Sequence, residues 1–450
     1  MDNTRRPNGA PPAYTPMIHP SDLDHTRFTA HVQTEGIRVN GVAPFRFPSR
    51  GVGVVAQRNL QPGEVIVAVP YNNMVTIDHI PESFREKFRN ETISKHGLFA
   101  AFFCCGEQDD LEKYAIWKSV WPELQDFESS MPIIWSSEMT GRRGLASYLS
   151  GPEENDNNLE RSQSGLPPCI TGTWNSLLRE GKKKQLVRGY VLENQDMLTA
   201  QIKRLRAAFR ATRHIFPTAN RWDYIYYWLI INTRCFYYLP DGAPQPEDRN
   251  DAMALCPFAD YFNHSDTPGC RASFVDGEYR FETTRYHGEE ILVSYGTHTT
   301  DTLFVEYGFV PERNKWDCLY LDNIIFDDLT TQQRNLLRSE NYLGNYHMTA
   351  DVTSYRTEVA ACAKYMNGND FRRMVAGVQP PIFHRRIMNT VIRSWISRLE
   401  SEANDMLDTM STLSVAQSDE QGQQRVRLLR LRWTQIRDTC ISAMNSLENA

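Results

Sequence analysis

Residues 221–240, RWDYIYYWLIINTRCFYYLP, are apolar on nearly every side. A helix with no wetted face has to sit inside a core, and this one is too short to cross a bilayer. The rest of the chain must therefore supply enough structure to surround it. Its 450 residues suffice for two or three domains and a core that needs no covalent staples. An apolar fraction of 41% and a charged fraction of 23% are those of a soluble globular protein. Arg234 is the awkward member of the stretch, a guanidinium in an otherwise buried helix.

The segments around it alternate in character. Residues 1–20 are rich in proline and polar groups and are expected to be disordered. In RGVGVVAQRNLQPGEVIVAVP (50–70), Gly51 and Gly53 precede a β-branched run, Gln-Pro-Gly marks a turn, and EVIVAVP alternates, which predicts a hairpin. From about 78 to 240 the pattern is helical. It is interrupted at about 150–170 by SGPEENDNNLERSQSGLPP, a polar, glycine- and proline-containing stretch expected to be flexible. Lys182 to Lys184 form a short basic run, better read as a solvated helix face than as a phosphate site. Residues 255–310 return to short strands and turns, and from about 316 the chain is helical.

In the tail, Val426, Leu429, Trp433, Ile436, Cys440, Ala443 and Leu447 recur at alternating steps of three and four. Trp395, Leu399, Ala403, Met406 and Met410 do much the same. Two helices with one buried stripe each predict an antiparallel hairpin. The arginines of RVRLLRLRW (425–433) read as a solvated face or a modest partner surface.

Composition also excludes. A net charge of −6 offers no general attraction to nucleic acid. The first residues lack a signal-peptide core, and no run of about 18 apolar residues occurs, so a cytoplasmic or nuclear location is expected, with no membrane association. Nine scattered cysteines form no CxxC or Cys/His ligand cluster, so neither a bound metal nor disulfides are expected.

The chemistry is concentrated in a few short motifs. Within GEEILVSYGTHTTDTLFVEYGF (288–309), Tyr295 and Tyr307 each stand before a glycine. Either pair alone marks a strand end packed on a core. Asn-His-Ser at 263–265 alone has common uses in turn capping. In the order RGVG (50–53), TRCF (233–236), DYFNHS (260–265), GEEILVSYG (288–296) and EYGF (306–309), the set is specific. It resembles the SET-domain methyltransferases, in the subfamily with a large helical insertion and a helical substrate-binding domain, typified by Rubisco large-subunit lysine methyltransferase. The resemblance covers roughly residues 40–310 by motif and the C-terminal helices by architecture.

That resemblance implies an α+β fold, a SET core of several small sheets over residues 21–315, interrupted by a helical insertion at about 78–240. An all-α substrate-binding domain follows over 316–450. It implies an S-adenosylmethionine-dependent protein-lysine N-methyltransferase acting as a monomer on a protein that presents a lysine. Tyr307 would be the catalytic tyrosine and Tyr295 its neighbour in the lysine channel. Gly51 and Gly53 would let backbone approach the cofactor, Arg234 would hold its carboxylate, Asn263 and His264 its adenine and amino-acid portions, and Phe309 would pack on the adenine. Arg234 pairing internally with Asp260, and His264 serving only to pin the fold, remain alternatives.

Tyrosine suits the task physically. Presenting a neutral lysine amine at pH 7 costs about 4.6 kcal/mol from its ordinary pKa, and a dry aromatic channel lowers that cost by desolvation. A tyrosine hydroxyl adds a hydrogen bond without adding a charge. Histone-directed members of the family carry cysteine-rich zinc modules, which this chain lacks, so a non-histone substrate such as a ribosomal protein or translation factor is expected. A histidine-directed relative lacks the tyrosine of Tyr-Gly-Phe, and imidazole needs less desolvation. Histidine methylation and a non-catalytic SET-like interaction module are the competing readings.

Overall fold

The computed structural model describes residues 20–47, 50–140, 145, 149, 164–181, 195–240, 242–246, 251–284, 290–378, 384–416 and 419–449. The chain runs through helix α1 (Pro20–Thr34) and strands β1 (Arg38–Val39), β2 (Val42–Phe47), β3 (Gly51–Ala56) and β4 (Val65–Pro70). Helices α2 (Lys95–Cys105), α3 (Leu124–Ser130), α4 (Met197–Ile215) and α5 (Arg221–Arg234) follow. Next come strands β5 (Cys235–Tyr237), β6 (Met253–Leu255), β7 (Cys270–Val275), β8 (Glu278–Thr283) and β9 (Glu290–Ile291). Helix α6 (Thr300–Tyr307) leads to β10 (Leu319–Tyr320), α7 (Asp322–Asp328), β11 (His347–Met348), α8 (Tyr355–Tyr365), α9 (Arg385–Ala416) and α10 (Glu420–Asn449). Residues 1–19 and 150–163 and the lysines 182–184, for which expectations were stated, lie outside the described residues.

The chain divides into two compact units, residues 1–122 with 211–297 and residues 123–210 with 298–450. These groupings do not coincide with the sequence boundary at 315/316.

The first unit contains small antiparallel sheets, as the α+β expectation requires. One has the strand order β1-β4-β8-β7, a second β2-β3-β9, and a third pairs β5 with β6. The predicted hairpin over 50–70 is corrected. Both strands form, and a turn at Gln61–Glu64 closes with Glu64 N donating to Gln61 O at 3.2 Å. Yet β3 pairs with β2 and β9, whereas β4 pairs with β1 and β8. The eight residues between them, with Leu60 fully buried, carry the chain from one sheet to another. Local turn chemistry does not choose the partner; long-range pairing does.

Helix α5 is buried as its composition demands. Tyr224, Ile225, Trp228, Leu229, Ile230 and Ile231 all lie inside. Its neighbour α2 packs against it: Tyr224 OH donates to Gly97 O at 3.1 Å, and His96 stacks on Trp228 with ring centroids 4.4 Å apart. The helix stops at Arg234, and Cys235 to Tyr237 continue as β5.

In the second unit α9 and α10 form the predicted hairpin, and their stripes are core: Trp395, Trp433, Ala403 and Cys440 are all fully buried. Three expectations change. Residues 164–170, assigned to a flexible segment, are packed: Trp433 Nε1 donates to Gly165 O at 2.7 Å, and Leu166 and Ile170 are buried. Residues 300–307, read as part of a strand-and-turn region, form α6. Thr299 caps it by accepting from Thr302 N at 3.2 Å, and Gly308 ends it at φ 78°. A Thr cap and a terminal glycine are helix start and stop signals that outweighed the β-prone Leu-Phe-Val run. Third, Arg432, placed on a solvated face, is fully buried and paired with Asp301 and Asp317.

A buried acid also stitches this unit. Glu402, 2% exposed, accepts from Asn175 N at 2.7 Å and Ser176 N at 2.9 Å, capping the helix Asn175–Arg179 from outside. Glu402→Gln is expected to lower stability by about 1–3 kcal/mol, since a charge-assisted bond to a helix N-terminus is replaced by a neutral one. Denaturant unfolding read by tryptophan fluorescence measures it.

Candidate active site

In the first unit, the backbone crosses itself in parallel beside β3. Val293 N donates to Asn263 O at 3.0 Å and Ser265 N to Val293 O at 2.8 Å. Side chains extend the crossing: Tyr295 N donates to His264 Nδ1 at 3.0 Å, and Tyr295 OH donates to Phe262 O at 2.7 Å. The acceptor role fixes the tautomer of His264, leaving its proton on Nε2. Burial pushes the Tyr295 hydroxyl above its ordinary pKa, so it stays neutral.

Gly53, Asn263 and Glu290 meet beside β3. Asn263 Nδ2 donates to Glu290 Oε1 at 2.8 Å and reaches Val52 O at 3.4 Å. A Cβ at Gly53 would lie 2.5 Å from Glu290 Oε1 and 2.7 Å from Asn263 Nδ2, so only glycine fits here. Arg50 Nη1 closes the far side of Glu290 at 2.7 Å from Oε2. Gly51 stands at the exposed start of β3.

Arg234, at the end of α5, contacts Asp260 through Nη1 alone, at 3.0 Å to the carbonyl and 3.2 Å to Oδ2. The internal pairing with Asp260 is therefore present. It does not exhaust the guanidinium: the buried Nε has no hydrogen-bond partner among the described residues. The Asp260 side chain is 2% exposed and takes a further bond from Trp117 Nε1 at 3.2 Å. Burial raises its pKa, and Arg234 and Trp117 oppose that rise. Upstream, buried Phe258 sits at φ 71°, a conformation costly for an aromatic residue, and delivers Asp260 on the turn Ala259–Tyr261.

Tyr307 and Phe309 belong to the second unit. Tyr307 is the last residue of α6, half-buried, its ring 6.4 Å from that of Phe309 and 6.3 Å from that of His298. Gly308 between them has φ 78°, and a Cβ there would lie 2.7 Å from Met131 Sδ. The glycine after Tyr307 is thus required by backbone and by space. Sequence reasoning missed Glu290, Trp117 and Met131. Glu290 was detectable only as an acid opening a strand, and nothing in the order of residues pairs it with Asn263.

The residues fit a ligand with a carboxylate: Arg234 retains donors for one, and Asn263 and His264 lie together on the backbone crossing. The space beside Gly53 is taken by Glu290 and Asn263, so that glycine admits protein side chains rather than a ligand.

The family described as the SET domain matches residues 51–296. The human SET domain-containing protein 4 is 24% identical over 337 residues, 70% of this chain and 67% of that protein. The Schizosaccharomyces pombe ribosomal lysine N-methyltransferase set11 is 29% identical over 177 residues, 38% of this chain and 42% of that protein. The Saccharomyces cerevisiae ribosomal lysine N-methyltransferase 2 is 27% identical over 296 residues, 58% of this chain and 55% of that protein. The chain thus matches only about half the length of the two yeast relatives. Among solved structures, the SET domain of LSMT bound to lysine and AdoHcy has a TM-score of 0.53 at 13% identity, over 95% of this chain and 91% of that one. Rubisco LSMT bound to AdoMet gives 0.51 at 14%, over 95% and 93%. At those identities the likeness is one of fold.

Arg234→Ala is expected to destabilise the protein by about 2–4 kcal/mol, because it strands the buried Asp260 carboxylate, and Arg234→Ala with Asp260→Asn to recover most of that loss. Thermal melting of the four proteins of this cycle measures both.

Proposed function

Since the chain belongs to the SET-domain family, we propose that it is an S-adenosylmethionine-dependent protein-lysine N-methyltransferase acting on a non-histone protein. The observation that carries the reading is the half-buried tyrosine at the end of α6, retained beside a glycine that only this backbone demands, in a chain that also keeps Arg234, Asn263 and His264. The names of the yeast relatives support lysine as the target and a ribosomal protein as the substrate class. The LSMT structures bound to AdoHcy and AdoMet support the cofactor.

S-adenosylmethionine, when bound, supplies an electrophilic methyl group on a sulfonium. This chain's residues supply the rest. Arg234 offers its remaining donors to the carboxylate, as a guanidinium does in bidentate pairs. Gly53 lets Glu290 and Asn263 close against β3, and Asn263, oriented by Glu290, would present its amide at a fixed angle. His264 is held by the Tyr295 amide through Nδ1, which leaves its proton on Nε2. Tyr295, its hydroxyl spent on Phe262 O, contributes shape and an apolar wall. Tyr307 Oη accepts or donates a hydrogen bond at the amine, favouring the neutral nucleophile without introducing a charge.

Two outcomes are expected. Millimolar S-adenosylmethionine raises the melting temperature of the wild type, by mass action, and Gly53→Ala abolishes that rise; no rise with the wild type would favour a non-catalytic interaction module. With radiolabelled cofactor and a cell lysate, the wild type labels a band whose label maps to lysine, and Tyr307→Phe reduces the rate by about a hundredfold or more. An unchanged rate in Tyr307→Phe, with label on histidine, would favour the histidine reading.

A further inference from the structure

The helix carrying Tyr307 has eight residues, too few to hold its own direction. What grips its ends decides where the tyrosine points. At the C-terminal end, Gln201 Nε2 donates to Val305 O at 2.9 Å and Glu306 Oε2 at 3.0 Å, and Arg204 Nη2 to Glu306 Oε1 at 2.7 Å. At the N-terminal end the grip is Arg432 of α10. Its Nε and Nη2 bind Asp301 Oδ1 and Oδ2 at 2.7 and 3.0 Å, a bidentate fork onto the first turn of α6. Its Nη1 binds Asp317 Oδ2 at 2.6 Å, and Asp317 Oδ1 accepts from Thr300 N, the first residue of α6, at 2.9 Å.

Arg432 is fully buried and Asp301 is 1% exposed. Burial opposes the charge on Arg432, and the two carboxylates outweigh it and raise its pKa. Such a triad is a poor device for stability, because apolar packing of equal volume commonly does as well or better. Its advantage is direction: a planar fork fixes both the rotation and the tilt of the helix it holds.

We propose that Arg432 is a positioning residue for catalysis, aiming the Tyr307 hydroxyl by holding α6 through Asp301 and Asp317. The inference rests on the reading of Tyr307 as the catalytic tyrosine. It gives the last helix of the chain a part in the reaction although Arg432 itself contacts no substrate.

The test is a double-mutant cycle with a spectroscopic readout. Arg432→Lys keeps the charge and loses the fork. At a temperature well below unfolding, it is expected to lower kcat by about tenfold or more while KM for S-adenosylmethionine changes by less than about twofold. In the Tyr307→Phe background the same substitution is expected to cause no further loss, since no hydroxyl remains to be aimed. An equal loss in both backgrounds overturns the proposal. Independently of activity, protein labelled with 3-fluorotyrosine gives a resonance assigned to position 307 by its disappearance in Tyr307→Phe. That resonance is expected to shift or broaden in Arg432→Lys with the far-ultraviolet circular dichroism unchanged, and an unmoved resonance overturns the proposal. If Arg432→Lys fails to fold, Asp301→Asn, which breaks the bidentate fork and leaves the Asp317 contact with Thr300 N intact, replaces it with the same criteria. A moved resonance in a protein that methylates no lysine would sink the lysine reading and with it the catalytic part of the proposal, whereas an unmoved resonance in an active enzyme would sink the proposal alone.

Discussion

The hydrogen bonds between residues 262–265 and 293–295 are what the first unit's site depends on. Without Val293 N on Asn263 O and Ser265 N on Val293 O, two segments some thirty residues apart would have no reason to lie parallel. Once they do, one side chain serves each strand: His264 accepts from the Tyr295 amide, and Tyr295 returns a bond to Phe262 O. The residues with the most specific motifs are thus structural pins as well as candidate ligand contacts. His264 pinning the fold and His264 meeting a cofactor are not exclusive, because its two ring nitrogens divide the work.

Arg234 shows a similar sharing. Its pair with Asp260 answers the problem raised by a charge in a buried helix, and the helix C-terminus favours a cation there. The same pair leaves the buried Nε without a hydrogen-bond partner among the described residues. The energetic cost of that orphan, and of Phe258 in a left-handed conformation, is the kind of strain that binding sites keep.

In the second unit the burden falls on buried charge. Glu402 caps a helix remote in sequence, and Arg432 holds two acids at the start of α6. Both residues sit on the long C-terminal hairpin, whose apolar stripes account for its packing but not for these ionic contacts. The hairpin is therefore more than a scaffold for its own core: it orders the segment in which Tyr307 stands.

Much was legible in the order of residues. Helical periodicity predicts the α9–α10 hairpin because 3.6-residue spacing follows from backbone geometry alone. The apolar run ending at Arg234 predicts a buried helix for the same reason. The motifs RGVG, TRCF, DYFNHS and the two Tyr-Gly pairs indicate a SET domain. What was not legible is partner choice. The glycine turn at 61–63 predicts a hairpin, yet β3 and β4 join different sheets. Thr-rich residues 299–302 look extended until capping and the left-handed Gly308 make them a helix. Arg432 shares a solvated pattern with its neighbours and is buried only because Asp301 and Asp317 come to it. Local periodicity and capping are properties of short segments, so the sequence by itself determined which segments are helices with a buried stripe and which residues are candidates for the chemistry. Strand pairing and buried ion pairs join residues far apart in the chain, and only the tertiary structure decided those.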